Sequence, residues 1–156
     1  MQKIAATSIL KVSILLTFAV LTVSSFAQTF PTVVATVKVT GQTTPISQTV
    51  LFTPIADGMF RISGYMVTTV PKTNGTKADW AATMNWTDDA GNWLWQDVAV
   101  TFSYQRTNST ICCQPNAYPL MFWAKAGTPI SYSVLSFNGQ ATGSTYEVFL
   151  TLEQLM

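Results

Sequence analysis

Histidine is absent from this sequence of 156 residues. That removes the Ser-His-Asp triad, Cys-His nucleophile pairs and every histidine metal site. No G-x-S-x-G elbow, phosphate-cradling glycine loop or H-E-x-x-H motif is present either. Charge is scarce: eight basic and seven acidic residues make 10% of the chain, against the usual quarter. A nucleic-acid partner needs a basic face that displaces counterions, and none can be assembled from this set. Cysteine is limited to the adjacent pair Cys112 and Cys113, too few ligands for structural zinc. Nothing points to a cofactor.

The one long apolar run comes first. Lys3 and Lys11 precede "VSILLTFAVLTV", and "SSFA" follows, with Ser25 two positions before Ala27. A basic start, an apolar run of about a dozen and a small-x-small exit are the layout of a secretory signal peptide. The run falls short of the roughly 20 residues that span a bilayer, and no cysteine near Ala27 offers a lipid anchor. Residues 1–27 are expected to be removed, leaving a soluble, secreted or periplasmic chain from Gln28. Without Lys3 and Lys11 the balance becomes six basic against seven acidic residues, or −1.

What remains, residues 28–156, suits one domain with its own core. Apolar residues are plentiful at 48%, and Thr, Ser, Asn and Gln supply the polarity, as on exposed strand faces. "TVVATVKVT" alternates and reads as a strand, and "QTVLFT" reads as a second, short one. After "PIADG", where Pro54 and Asp57-Gly58 favour a reversal, the run 58–67 places Phe60, Ile62, Gly64 and Met66 on one face. Met59, Arg61, Ser63, Tyr65 and Val67 fall on the other, a face only partly polar. "WAATMNW", the turn "TDDAG" and "NWLWQDVAVTFSYQ" form a hairpin. "RTNSTICCQPNAYP" reads as an irregular loop. "LMFWAKA", "ISYSVLSF" and "TYEVFLTLEQL" complete about eight strands at short, even spacing. The class is all-β: a sandwich, jelly roll or barrel.

Several clusters could carry chemistry. Neighbouring Cα atoms lie about 3.8 Å apart, below the usual disulfide span, so Cys112 and Cys113 could form a strained vicinal bridge, bridge between chains, or stay as thiols. Asp88, Asp89 and Asn92 could hold calcium, but the ion wants six to eight oxygens and an Asp-rich turn explains them. Of the acids, Asp97, Glu147 and Glu153 lie on strands and could converge as a glycosidase pair, although no recognisable spacing supports an enzyme. Trp80, Trp86, Trp93 and Trp95 crowd one hairpin. Trp93 and Trp95, two apart, are expected to share a face and with Trp86 to make either a sugar platform or packing. Sequons stand at Asn74, Asn85 and Asn108.

"LFTPIADGMFRIS" resembles the stretch in C1q and tumour-necrosis-factor jelly rolls where a glycine opens a long inner strand, here Gly58, Phe60 and Ile62. "PLMFWAKAGTPISYSV" is similar to that family's apolar strand, turn and second strand. Gly127 keeps the turn and Thr128 replaces the family's Asp. "GSTYEVFLTLEQL" resembles the closing strand, with Tyr146, Phe149 and Leu150 in place and the family's glycine missing. The landmarks fall in family order across residues 45–153. The resemblance implies a jelly-roll β-sandwich of about eight to ten antiparallel strands. It also implies a non-catalytic homotrimer that binds a protein, a glycan or a surface, with Met59, Tyr65, Val67 and Tyr146 at the contact between copies. The sequence holds no collagen-like Gly-x-x run, and the family's calcium ligands do not map onto it. The alternative function is carbohydrate binding through Trp86, Trp93 and Trp95.

Overall fold

The computed structural model describes residues 30–70, 78–106, 109–137 and 143–156. The expected leader, and the sequons at Asn74 and Asn108, lie outside the described residues. Nine strands fill them: β1 (Thr32–Gln42), β2 (Ile46–Phe52), β3 (Gly58–Val70), β4 (Ala78–Asp88), β5 (Gly91–Arg106), β6 (Ser109–Ala117), β7 (Leu120–Ala124), β8 (Ile130–Phe137) and β9 (Thr145–Gln154). Among the described residues there is no helix, and so none long and apolar enough to cross a membrane.

The strands form two sheets, one of four in the order β1-β9-β3-β7 and one of five in the order β2-β8-β4-β5-β6. Every pairing is antiparallel. Pairing is nested: β1 with β9, β2 with β8, β3 with β7, and β4 with β5 at the centre. That is one long hairpin rolled up across two sheets, the wrapping of a jelly roll.

Alternation decides which side each strand buries. On β3, Phe60, Ile62 and Met66 are fully buried while Tyr65 is 46% exposed. On β9, Tyr146, Val148, Leu150 and Leu152 point inward, and Glu147, Phe149, Thr151 and Glu153 are only partly covered. From the second sheet, Trp80, Met84, Ile130 and Val134 meet them at zero exposure. Each such side chain contributes about 1.5–3 kcal/mol through burial. The core also carries polar ties between sheets. Trp80 Nε1 donates to Ser144 Oγ at 3.0 Å, and the Thr68 amide donates to Thr101 Oγ1 at 3.0 Å.

The "PIADG" segment does more than reverse the chain. Asp57 Oδ1 accepts from the Ala126 amide at 2.7 Å, and Pro54 O accepts from the Gly127 amide at 2.8 Å. The turn before β3 is thereby tied to the turn after β7. Gly58 is required by close approach, since a Cβ there would lie 2.6 Å from Met156 O.

One sequence expectation fails in this part of the fold. "RTNSTICCQPNAYP", read as irregular, contains β6, which lengthens the second sheet by pairing with β5. The proline misleads here: Pro115 removes one donor, but an edge strand tolerates it. Between the Phe102–Gln114 and Tyr104–Ile111 pairs, Cys112 and Cys113 stand opposite the single residue Ser103. The vicinal cysteines therefore occupy a β-bulge. Their side chains lie outside the described residues.

Candidate functional site

Two surfaces gather the residues that the sequence singles out. The first is the outer face of the four-stranded sheet. Tyr65 is opposite Phe149 on the neighbouring strand, and their rings stack at 4.7 Å between centroids with 23° between planes. Lys38 Nζ sits 6.0 Å from the Phe149 centroid. Met59 and Val67, at intermediate exposure, continue the same face along β3. Beyond Met59, the edge strand β7 adds Trp123, opposite Met59, and Met121, opposite Arg61. These two are 39% and 67% exposed. Arg61 Nε bonds Glu153 Oε2 at 2.7 Å across the strands. That bond holds the Glu153 carboxyl below its ordinary value and raises the guanidinium.

Met59, Tyr65 and Val67 thus share the face expected of them, and Phe149, Met121 and Trp123 join it. The latter group could not be placed there without knowing that β7 and β9 flank β3. Tyr146 does not belong to the group. It is fully buried, its ring lies 4.4 Å from that of Trp80, and its hydroxyl donates to Thr44 O at 2.8 Å. Burial, with the Tyr132 phenol beside it, drives its hydroxyl far above the ordinary phenol value. The closing strand simply has the opposite parity: its odd positions face out.

The second surface is the tryptophan hairpin. Trp80 is core. Trp86, 7% exposed, packs against Phe122 at 4.7 Å and Trp93 at 6.1 Å. Its Nε1 is buried and has no hydrogen-bond partner among the described residues. Trp93 is 42% exposed. Trp95's side chain lies outside the described residues. Trp93 and Trp95 are not separated by a regular strand step. Between the Met84–Gln96 and Trp86–Trp93 pairs the register shifts, with two residues of β5 opposite Asn85 alone. The bulge interrupts the alternation there. Of the two indoles whose side chains are described there, Trp86 is the buried backing and Trp93 the accessible ring.

The turn joining β4 and β5 explains its own acids. Asp88 Oδ1 accepts from the Ala90 amide at 2.7 Å and the Gly91 amide at 3.1 Å, while Asp88 Oδ2 accepts from Trp93 Nε1 at 2.6 Å. Asp89 pairs with Lys125 Nζ at 2.8 Å and raises that ammonium's value. Among the described residues no cluster of three or more acids could hold a metal ion. The strand acids do not converge. Glu147 and Glu153 are six residues apart on β9, about 20 Å of strand, and Asp97 belongs to the other sheet. Asn85 is 4% exposed, which removes that sequon as a surface acceptor.

No family model matches the sequence, and no curated protein matches it. Among solved structures, the Eiger tumour-necrosis-factor protein from S. frugiperda is similar over 78% of this chain and 92% of that chain, at 11% identity and a TM-score of 0.38.

Proposed function

We propose that this chain is an exported, non-catalytic jelly-roll module that closes into a homotrimer through the outer face of its four-stranded sheet and uses its remaining surface for extracellular recognition. The observation that carries the reading is the Tyr65–Phe149 stack, with Val67 beside it on a face turned away from the core. Exposed stacked rings of this kind are a solubility liability unless a partner covers them. A second and third copy cover them without any further gene product, and a closed ring leaves no open end for continued growth. The sequence resemblance to C1q and tumour-necrosis-factor jelly rolls points the same way. Export is supported by the basic, apolar and small-residue layout of residues 1–27. A non-catalytic role is supported by the lack of histidine and by strand acids set too far apart for paired carboxylate chemistry.

Sedimentation equilibrium of the chain beginning at Gln28, at micromolar concentration, tests the assembly. A mass three times that of one chain supports it; the mass of one chain overturns it. Tyr65→Lys and Val67→Lys should each convert the trimer to folded monomers, because an unpaired ammonium is not buried at an interface centre. Trimers persisting in both variants, with unchanged circular dichroism, would put the contact on another face.

A further inference from the structure

The five-stranded sheet also has an outer face, and it is unusual. On β4 the residues pointing away from the core are Asp79, Ala81, Thr83 and Asn85, and all are under 5% exposed. Their neighbours on β8, Ser131 and Ser133, are 1% and 5% exposed. An outward sheet face this small and this polar forms a floor beneath taller surroundings. Thr83 Oγ1 and Ser133 Oγ lie 2.8 Å apart, and Gln48 Nε2 donates to Ser131 Oγ at 2.8 Å.

At one end the floor opens into a cleft of about 610 Å³, within the usual range for small-ligand sites. Ala81 and Val100 are opposite each other at its base. Phe137, opposite Asp79, and Tyr118, whose amide is anchored on Val98 O at 2.9 Å, line it with rings that are 43% and 51% exposed. Asp97 and Gln96 line it from β5. Gln96 also borders a second depression, whose described lining includes Trp93 and the Trp86 indole. Two exposed rings, Tyr118 and Phe137, therefore lie along one path, with an amide and a carboxylate beside them.

We infer that this path is a binding groove for a neutral oligosaccharide. The ligand class follows from the groups. Aromatic faces match the apolar C–H faces of pyranose rings. A carboxylate and an amide accept and donate to vicinal hydroxyls. No described lining residue of the cleft is basic, and the Asp97 carboxylate repels phosphate, sulfate and uronate groups. The carboxylates of Asp79 and Asp97 are not a hydrolytic pair. Asp97 is opposite Thr83, four strand residues from Asp79, which is about 13 Å and beyond the separation of a glycosidase. The groove binds and does not cleave. It does not depend on assembly through the other sheet.

The test is calorimetric titration of the chain from Gln28 with cellohexaose, xylohexaose, maltohexaose and laminarihexaose, with heparin and a chitosan hexamer as charged counterparts. At least one neutral hexasaccharide should bind. Tyr118→Ala and Phe137→Ala should each weaken it about tenfold, and Asp97→Leu should do the same while Asp97→Asn retains binding. Thermal unfolding of these exposed-site variants checks that the fold persists. Failure of all four neutral sugars overturns the proposal, as does preferential binding of either charged glycan. Binding lost in Trp93→Ala but untouched in both Tyr118→Ala and Phe137→Ala also overturns it, confining recognition to the hairpin. Because Tyr65→Lys should leave sugar binding intact, failure of the assembly and failure of the groove are read separately.

Discussion

Trp80 and Tyr146 face each other across the interior, one from each sheet, with ring centroids 4.4 Å apart and planes at 38°. Each also spends its polar atom on a different partner, Ser144 Oγ for the indole and Thr44 O for the phenol. The pair fastens the two sheets and both flanking turns at one point. Tyr146→Phe keeps the packing and removes one hydrogen bond, so denaturant unfolding should show a loss of about 1 kcal/mol. Tyr146→Ala should cost about 3–5 kcal/mol. Neither change should alter sedimentation of the protein that remains folded.

Gly64 lies on β3 opposite Leu150. A Cβ placed there would collide with the Phe149 carbonyl oxygen and come within 2.9 Å of the Leu150 Cα. The obstacle is backbone, which cannot rotate aside. Gly64→Ala should therefore destabilise by about 1–3 kcal/mol, and hydrogen exchange should speed up along the β3–β9 ladder before it does along β4–β8.

Asp88 holds the β4–β5 turn through two amides and the Trp93 indole. Asp88→Ala should lower stability by about 1–2 kcal/mol, the range for losing a charged acceptor of backbone donors. It should also shift Trp93 emission to the red as the ring swings into water. Calcium titration should leave the native spectrum unchanged, since those oxygens are already engaged.

The two sheets should answer acid in opposite directions. Glu153 is held below its ordinary value of 4.5 by Arg61, so its contribution is complete above that value and fades as pH falls through the lowered one. Glu153→Gln should be less stable than the parent at neutral pH, and the gap should close in acid. Asp97 is pushed above its ordinary 3.8 by partial desolvation, so stability is lost as pH rises through the raised value. Asp97→Asn should be more stable than the parent at neutral pH and equal to it in acid. Denaturation midpoints across pH 2–7, at one protein concentration, read both.

The inward set Phe60, Ile62 and Met66 was legible in the sequence because β3 keeps its two-residue alternation from Gly58 to Thr68. The fate of the tryptophans was not. Two register shifts along β5, visible only once β4 is its partner, decide that Trp93 lies against Trp86 at the sandwich edge. Tyr146 misled for a related reason. Period-two patterning separates two faces but does not say which is interior when both carry aromatics, and β9 alternates Tyr146 and Val148 with Glu147 and Phe149. The cleft was hidden more deeply still. Tyr118 and Phe137 are 19 residues apart in sequence, and nothing local marks either as lining a shared wall. The small outward residues Ala81, Thr83 and Ser133 look unremarkable until they are seen to form one floor.

The bulge at Cys112 and Cys113 bears on what the protein avoids. β6 is the last strand of the five-stranded sheet, and a straight edge there would be a template on which another chain could pair. Instead the strand carries two residues opposite one at its middle, and Pro115, opposite Thr101, has no amide hydrogen to offer. A newcomer would meet a ladder whose rungs are out of step and one rung short. The irregular segment thus acts as a stop signal for sheet growth. It lets a weakly charged β-protein reach high concentration without seeding fibres of itself.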